Sequence, residues 1–280
     1  MNNKYYRLLN FRGYLVKAGL LLLGAGLFIG CPEPVEDPDP PARPLLVTKS
    51  LPEAWEEAGI DADNTGTNRI VLMWHPNQEE DLSGYEIYRA DTLRTNKFRR
   101  IAAIDIFHIL GADTIYHDDS ISTHLNYYYY VRARDNAGNR SHPSDTVTYR
   151  LLLPPQALAP SDTVVHGPFT FIWFDRVGQY DYTTEYTLRL DNLDLNRSVW
   201  VCRFMNAWYD YANSYPIPLD YFPCSQGASA EAEVIACNEI SSQLPAGVYR
   251  WKVKAISEVD NHTGLDEASA ESEWAFFTIE

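Results

Sequence analysis

Positive charge is scarce in this chain of 280 residues, which has 23 lysine and arginine residues against 38 aspartate and glutamate residues and a formal net charge of −15. Nucleic acids are bound through clusters of lysine and arginine, so this balance argues against a nucleic-acid partner. It also argues against attachment to an anionic lipid surface by charge alone. We therefore interpret the excess of acidic residues as a well-solvated protein surface.

Motifs that carry catalysis are missing as well. The sequence contains no Gly-x-Ser-x-Gly nucleophile elbow, no Gly-Lys-Ser phosphate loop and no His-Glu-x-x-His zinc motif. Adjacent carboxylates such as Glu79-Glu80 and Asp118-Asp119 are interpreted as solvated charge on turns rather than as glycosidase acids. We therefore expect a protein that is not an enzyme and that holds no cofactor and no metal.

One acidic stretch, Asp61-Ala62-Asp63-Asn64-Thr65-Gly66, has the alternating oxygen ligands and the turning glycine of a calcium loop. Thr65 stands where a third acid is usual, and Leu72, at the twelfth position, cannot serve as a bidentate carboxylate. A linker turn that enters the first domain is therefore the preferred interpretation.

The apolar stretch near the N-terminus is too short to cross a bilayer. It runs for twelve residues from Ala18 to Ile29, interrupted only by glycine, whereas a spanning helix needs about 20 residues. Four basic residues, the last of them Lys17, precede it. A positive segment followed by a short apolar segment is typical of a secretory signal peptide, so residues 1–30 are expected to be one.

The end of this stretch, Leu27-Phe28-Ile29-Gly30-Cys31, resembles a bacterial lipobox, in which a small residue precedes a cysteine that takes a diacylglycerol. Phe28 stands where leucine, valine or isoleucine is usual. The resemblance implies lipidation of Cys31 and a place in the bacterial cell envelope, at the outer membrane or the cell surface. An ordinary signal peptide with an unrelated cysteine and an uncleaved anchor are the alternatives. Residues 31–45 are rich in proline and acid, so they are expected to form an extended tether.

Beyond Leu45 the sequence has the pattern of antiparallel β-sandwiches, with short alternating runs separated by turn residues. Aromatic residues, which favour sheet, make up 13% of the chain. Residues two apart on a strand share a face, so each such apolar run predicts a strand with one face in a core. The clearest runs are Ile70, Leu72 and Trp74; Tyr85, Ile87 and Arg89; and Tyr127, Tyr129, Val131 and Ala133.

The stretch from Tyr127 to Ser144, which reads Tyr-x-Tyr-x-Val-x-Ala-x-Asp-x-x-Gly-Asn-x-Ser-x-Pro-Ser, resembles the last two strands of fibronectin type III domains. Residues 82–89 resemble the third strand of that family, and Trp74 matches its core tryptophan. The resemblance implies that residues 46–153 form a fibronectin type III domain. It also implies that Tyr127 is a corner tyrosine whose hydroxyl is hydrogen-bonded to the backbone.

A second domain of the same class is expected over residues 154–280, so the fold class is all-β with two tandem fibronectin type III or immunoglobulin-like sandwiches. Pro154-Pro155 breaks strand pairing, because proline has no amide donor, and is expected to mark a short hinge. Residues 247–255 repeat the Tyr-x-aromatic-x-Val-x-Ala signature, and residues 272–279 resemble a closing strand. Further alternating runs are Phe169, Phe171 and Trp173, and Tyr186, Leu188 and Leu190.

This second domain departs from the family in an aromatic-rich insertion near residues 200–230. Loops on a rigid scaffold often carry function, so four aromatic residues are candidates for contact with a ligand or partner. The alternative is that Trp200 and Phe204 are strand residues of the core and that the other aromatic residues pack the insertion onto the sheet. The four candidates are Trp208, Tyr209, Tyr211 and Tyr215.

Three cysteines, Cys202, Cys224 and Cys237, bracket the insertion. Disulfides persist outside the cytoplasm, so two of the three are expected to form one bridge, and Cys224 is the favoured member because it lies inside the insertion. Their spacing lacks the Cys-x-x-Cys of a zinc site.

The leading interpretation is a non-enzymatic, lipid-anchored envelope protein that acts as an adhesion, scaffold or protein-interaction module. It would contact the membrane through its lipid and would bind a protein or a glycan. The alternatives are a glycan-binding surface lipoprotein that uses the aromatic insertion, and an accessory subunit of an envelope enzyme or secretion complex.

Overall fold

The computed structural model describes the chain beyond residue 37, in the ranges 38–63, 68–93, 97–106, 114–175, 183, 185–205, 212–217, 232–238, 244–257 and 267–280. All regular structure in these ranges is β-strand. Cys31 and the rest of the expected signal peptide lie outside them. None of the described residues belongs to a helix that could cross a membrane.

The strands form two sandwiches that follow one another along the chain. The first contains β1 (Leu45–Leu46), β2 (Asp61–Asp63), β3 (Arg69–His75), β4 (Leu82–Asp91), β5 (Arg99–Asp105), β6 (Ile115–Asp118), β7 (Asn126–Asp135) and β8 (Val147–Leu151). The second contains β9 (Gln156–Ala159), β10 (Thr163–Val165), β11 (Phe169–Phe174), β12 (Glu185–Asn192), β13 (Arg197–Met205), β14 (Ala212–Ile217), β15 (Ala232–Cys237), β16 (Gly247–Ile256), β17 (Glu267–Glu271) and β18 (Ala275–Ile279).

In the first sandwich, a small sheet built on β3 packs against a larger sheet in the order β5–β4–β7–β8. β1, β2 and β6 all pair with β3. The core lies between the sheets, where the ring of Trp74 meets that of Tyr85 edge-on at 5.2 Å. The expected inward faces are confirmed, because each of their apolar residues is buried: Ile70, Leu72, Trp74, Tyr85, Ile87, Tyr127, Tyr129, Val131 and Ala133.

One inward position of β4 carries a charge. Arg89 is buried, and its Nη1 donates to Oδ2 of Asp118 at 2.6 Å, while the Tyr129 hydroxyl donates to the same oxygen at 2.9 Å. The interpretation of Asp118-Asp119 as solvated turn charge is therefore wrong for Asp118. An arginine that faces a core needs a buried carboxylate to compensate for its desolvation, and Asp118 provides it.

Both sandwiches contain a corner tyrosine. The Tyr127 hydroxyl accepts a hydrogen bond from the Ser122 amide at 2.7 Å, which confirms the prediction for this residue. In the second sandwich the Tyr249 hydroxyl donates to the Pro245 carbonyl at 2.7 Å. These bonds fix the chain where it enters β7 in the first sandwich and β16 in the second.

The second sandwich repeats the same plan. The sheet β9–β11–β14 faces the sheet β15–β13–β12–β16, and β16 pairs with β17 along one half and with β18 along the other. Phe171, Trp200 and Trp251 are all fully buried at the centre of its core. Trp200 and Phe204 lie in β13 with the core, so the alternative interpretation is confirmed for these two residues. The fold class is therefore confirmed as all-β, with two tandem fibronectin type III-like sandwiches.

The connection between the sandwiches is a paired junction rather than a hinge, so the expectation drawn from Pro154-Pro155 is wrong. β17 of the second sandwich pairs in parallel with β8 of the first, which joins their larger sheets into one. The Leu152 amide extends this pairing to the Ser269 carbonyl at 3.1 Å. Ala268 and Ala270 of β17 pack among core residues of the first sandwich. The prolines end β8, but main-chain pairing from a distant part of the sequence holds the two sandwiches together.

Candidate functional site

A loop of the first sandwich reaches across this junction. An edge strand of that sandwich is split into β1 and β2, both paired with β3, and residues 47–60 connect the two parts. Beyond Val47, whose amide donates to the Met73 carbonyl at 2.9 Å, this segment leaves the sheet. We call residues 47–60 the docking loop. Its ends are held together by a bond from the Ser50 amide to the Ala58 carbonyl at 3.0 Å and one from the Ala58 amide to Oγ of Ser50 at 3.1 Å.

Gly59 is required where the docking loop returns to β2. Its φ is +95°, a conformation that side chains with a Cβ rarely adopt. A Cβ at this position would lie 2.6 Å from the Cα of Lys49, which is backbone and cannot move aside. The close approach of the two ends of the loop thus depends on a glycine.

The docking loop lies on the outer face of β12 and β16, which is charged. On β16 the inner residues Tyr249, Trp251 and Val253 are buried in the core. The residues that alternate with them, Arg250, Lys252 and Lys254, point to the other face by the period-two rule. Arg189 and Asp191 on β12 lie opposite Lys252 and Arg250 and share their face.

Three carboxylates and three lysines form a cluster under the docking loop, which we call the junction cluster. Oxygen atoms of Glu57, Asp61 and Glu271 lie within 4.8 Å of one another. The ammonium of Lys252 contacts Glu57 at 2.5 Å and also binds Glu271. Asp61 binds Lys49 at 3.0 Å and Lys254 at 3.1 Å. The cluster therefore joins the docking loop and β2 of the first sandwich to β16 and β17 of the second.

Burial and charge shift the pKa values of the junction cluster in different directions. Burial raises the pKa of Glu271, and the neighbouring charge of Asp61 adds to this rise. Burial opposes ionisation of Asp61 too, but the charges of Lys254 and Lys49 outweigh it and lower its pKa well below the ordinary range. For Lys252, the charges of Glu271 and Glu57 outweigh desolvation and raise its pKa. Lys252 thus remains charged and pairs with Glu57 and Glu271.

A cation–π stack continues the cluster along the same face. The guanidinium of Arg250 lies 4.7 Å from the ring centre of Trp55 and 4.0 Å from that of Trp274. It also binds Asp191 at 2.9 Å, and Asp191 in turn binds Nε of Arg189 at 2.7 Å. Arg189 returns to the docking loop, where Nη1 donates to Glu57 at 3.2 Å. An ion pair whose cation is shielded by aromatic rings contributes more to stability than an exposed ion pair does.

Metal binding is a poorer account of the three carboxylates than ion pairing. Lysine ammonium groups already lie among the oxygens of Glu57, Asp61 and Glu271, and they would repel a divalent cation. Asp61 and Asp63 lie in β2, which pairs with β3, so these residues form a strand rather than the expected linker turn. Asn64, Thr65 and Gly66 lie outside the described residues.

Two cavities flank the junction cluster, with volumes of about 340 and 370 Å³. Glu57, Asp61, Lys252 and Glu271 line both of them. The larger cavity also borders Arg189 and Arg203, each of which binds a carboxylate. The arrangement is therefore internally neutralised and is suited to holding two domains in a fixed relation.

Most of the residues singled out from the sequence lie elsewhere. Cys31, Trp208, Tyr209 and Tyr211 lie outside the described residues, so these assignments stay predictions. Tyr215 belongs to β14, where its backbone pairs opposite Phe171, but its side chain also lies outside the described part.

The cysteines are described in part. Cys202 is a free thiol, fully buried in the second core, and burial raises its pKa to about 12. Cys237 is disulfide-bonded, and the other half of its bridge lies outside the described residues. The role of Cys224, which also lies outside them, stays a prediction.

The docking loop and the junction cluster were not anticipated from the sequence. The alternation of Arg250, Lys252 and Lys254 along an otherwise apolar strand was the available signal, because three cations on one outer face require counter-charges. Glu57, which binds Lys252, lies almost two hundred residues earlier in the sequence, and no local pattern links the two.

Comparison with known proteins gives structural likenesses alone. No protein-family model matches the chain, and neither does any curated protein. Among solved structures, the FN1–FN3 domains of chicken CNTN1 are 16% identical, with 86% of this chain and 67% of that chain covered and a TM-score of 0.30. A β-1,2-glucanase from Parabacteroides distasonis is 23% identical, with 40% and 13% covered and a TM-score of 0.30.

The twitchin kinase region from C. elegans is 15% identical, with 39% of this chain and 16% of that chain covered and a TM-score of 0.26. This chain therefore matches less than a fifth of the twitchin and glucanase structures. Strand order and pairing, rather than these likenesses, define the fold.

Proposed function

We propose that this chain is a non-enzymatic, lipid-anchored protein of the bacterial cell envelope that acts as a rigid interaction scaffold. In this proposal Cys31 carries the lipid, residues 31–45 form the spacer and the two sandwiches form the scaffold. The sequence around residues 27–31 supports the anchor. The fold and its junction support the scaffold.

The observation that carries the scaffold role is the fixed junction. Domains in one chain usually meet through small polar interfaces and move relative to one another. Here β8 and β17 pair through their main chains, and the Tyr149 hydroxyl lies 2.6 Å from Oγ of Ser269 beside that pairing. The docking loop adds a second attachment through Glu57. Two separate attachments fix both the distance and the angle between the sandwiches.

A fixed angle has a functional consequence for a tethered protein. Lipid at one end and a semi-rigid proline-rich spacer would hold the sandwiches at a defined height above a membrane. A rigid pair then presents its binding surfaces without the entropy cost of ordering a hinge on association. This favours a scaffold or adhesion role over that of a flexible linker.

The anchor is tested by palmitate labelling and membrane fractionation in a bacterial host, with the full chain compared with Cys31→Ala. We expect the unchanged chain to take up label and to sediment with membranes, and Cys31→Ala to lose both properties. Cys202→Ala is the matched control, because it removes a buried thiol from the second core and should keep the label. Label that persists in Cys31→Ala, or membrane association without any label, would overturn the proposed anchor.

A further inference from the structure

The outer face of β4 and β7 in the first sandwich carries a stack of aromatic rings. Tyr88 and Tyr130 stack with ring centres 4.7 Å apart and an angle of 16° between their planes. The ring centre of Phe98 lies 4.7 Å from that of Tyr130, and 40% of the surface of Phe98 is exposed. Arg132 lies over Tyr130 at 5.7 Å. These residues, together with Arg100 and Arg140, are called the aromatic–arginine face.

The aromatic–arginine face is positively charged although the whole chain is strongly acidic. Glu86, which is buried, binds Arg100 at 2.5 Å and Arg140 at 2.7 Å, so one carboxylate serves two guanidinium groups. The side chains of these arginines remain 51% and 50% exposed. Arg132 adds a further positive charge beside them, and Arg150 of β8 lies on the same outer side of the sheet by its pairing with Asn126.

β5, next to this face, ends the larger sheet. It pairs with β4 on one side, and within the described residues no strand pairs with its other edge. It contains seven residues and no proline. The Ile106 amide donates to the Ser83 carbonyl at 3.0 Å. Backbone amides at every second position point to the same side, so the amides of Ala102 and Ile104 also face β4. The amides of Ala103 and Asp105, which alternate with these, therefore face the open edge.

The two sides of β5 differ in chemistry. Ala102 and Ile104 lie opposite Ile87 and Tyr85, and they pack at the rim of the core. Arg100 lies opposite Tyr88 and faces the aromatic rings. A strand that is added along β5 would place alternate side chains against these two surfaces, with an apolar residue on one side and a residue that meets arginine on the other.

We propose that β5 and the aromatic–arginine face bind an acidic polypeptide segment, which adds as a strand along β5 and directs its carboxylates toward the arginines. Strand addition supplies affinity through main-chain hydrogen bonds, and alternate side chains supply specificity. The open amides of β5 favour a polypeptide over a polysaccharide, since only a polypeptide has a backbone that continues a sheet. Tyrosine and arginine are also the residues enriched at protein-binding hot spots. The inference rests on the interaction role proposed above and names the chemistry of its partner.

The test uses the full chain in detergent micelles and a fluorescent octapeptide of four Glu-Val repeats, with binding measured by anisotropy at low ionic strength. An octapeptide of four Lys-Val repeats and dextran sulfate are the comparison ligands. Ala103→Pro removes an amide that faces the open edge, and Ala103→Ser at the same position keeps it. Arg132→Gln with Arg150→Gln removes two positive charges from the outer side of the sheet. Arg43→Gln with Arg69→Gln removes two charges away from the aromatic–arginine face, one before β1 and one in β3, and is the matched control.

We expect the Glu-Val peptide to bind, and its affinity to fall about tenfold in Ala103→Pro and about fivefold in the Arg132 and Arg150 pair. Ala103→Ser and the Arg43 and Arg69 pair should stay within about twofold of the unchanged chain. Rising salt should weaken binding, because exposed charges are screened. Circular dichroism shows whether Ala103→Pro is folded, and the arginine variants test the face independently of that result.

Three outcomes would overturn this inference. They are equal binding of the Lys-Val peptide, unchanged affinity in both Ala103→Pro and the arginine pair, and tighter binding of dextran sulfate that depends on the same arginines. The last would assign the face to an anionic glycan. If the unchanged chain took up no palmitate label but still bound the Glu-Val peptide, the anchor alone would be overturned and this inference would stand.

Discussion

The outer faces of the two larger sheets are used in opposite ways. In the first sandwich Arg100 and Arg140 border an open face, and about half of each side chain is exposed. In the second sandwich Arg189 of β12 and Lys252 of β16 lie on the outer face of the larger sheet, but only 3% and 6% of their side chains are exposed. The docking loop of the first sandwich makes the difference, because it covers one face and leaves the other free.

This difference shows how one fold can supply both a joint and a surface. Charges on an open sheet face are screened by water, so they cost little to keep and are available to a partner. Charges under a covering loop must be compensated individually, so each becomes part of a neutral cluster. A single insertion between β1 and β2 therefore decides the role of a sheet face in the neighbouring domain.

The largest expected effect on stability comes from removing Lys252, the central cation of the sheet face that the docking loop covers. Lys252→Met leaves Glu57 and Glu271 without their shared ammonium, and loss of one partner of a buried ion pair costs about 3–5 kcal/mol. The same change at the open face, Arg132→Met, should alter the free energy of unfolding by less than about 0.5 kcal/mol. Urea denaturation of the full chain, followed by tryptophan fluorescence, compares the two.

Adding Glu271→Gln to Lys252→Met sharpens this prediction. The second substitution removes one of the stranded carboxylates, so part of the lost stability should return. An equal cost for Lys252→Met and Arg132→Met would contradict the contrast between a covered and an open face.

The pH dependence of stability should also differ between the two faces. Hydrogen bonds from Arg140, helped by those from Tyr88 and Arg100, lower the pKa of Glu86 to about 2. This stabilisation is present above the ordinary pKa of glutamate and is lost as the pH falls toward 2. Burial raises the pKa of Glu271, so the folded chain binds a proton that the unfolded chain releases. Its contribution to stability therefore falls as the pH rises through the range between the ordinary and the raised pKa.

Urea denaturation at a series of pH values separates these two contributions. Glu86→Gln should flatten the loss of stability on the acid side of the ordinary glutamate pKa. Glu271→Gln should instead flatten the fall on the alkaline side of that value. If the two variants changed the same part of the profile, the opposite pKa shifts assigned to Glu86 and Glu271 would be wrong.

The sequence predicted the inward halves of both sandwiches well, because core residues follow a local rule. Alternation on a strand depends only on neighbours two positions away, so Trp74, Tyr85 and Tyr129 could be placed without knowing the sheet order. The corner role of Tyr127 followed from family resemblance and is confirmed by its bond to the Ser122 amide.

The junction could not be predicted by the same reasoning. Pairing of β8 with β17 joins residues that lie more than a hundred positions apart, and nothing near Pro154-Pro155 indicates it. Asp61 was expected in a linker turn, and no local pattern indicated that it would bind Lys49 of the docking loop and Lys254 of β16. Local patterns specify which face of a strand is apolar, but they do not specify what covers the other face.

The corner tyrosines test whether the two sandwiches differ only at their outer faces. Tyr127→Phe and Tyr249→Phe each remove one hydroxyl bond to the backbone, at Ser122 and Pro245. Each should cost about 1 kcal/mol of unfolding free energy. Similar costs, measured by urea denaturation, would show that the cores are equivalent. A cost at one corner several times that at the other would place the difference between the sandwiches in their cores instead.

The smallest effect on stability is expected at the open face. Phe98→Ser removes a ring that is 40% exposed and stacks on Tyr130, so the free energy of unfolding should change by less than about 1 kcal/mol. Trp55→Ser removes a ring of comparable role from the docking loop, where it lies 4.7 Å from the partly buried Arg250 guanidinium, and should cost more. Thermal unfolding of both variants measures the difference. If Phe98 contributes little to folding, its position among exposed arginines is better explained by recognition than by stability. A large loss of unfolding free energy in Phe98→Ser would therefore weaken the case for an interaction surface on this side of the molecule.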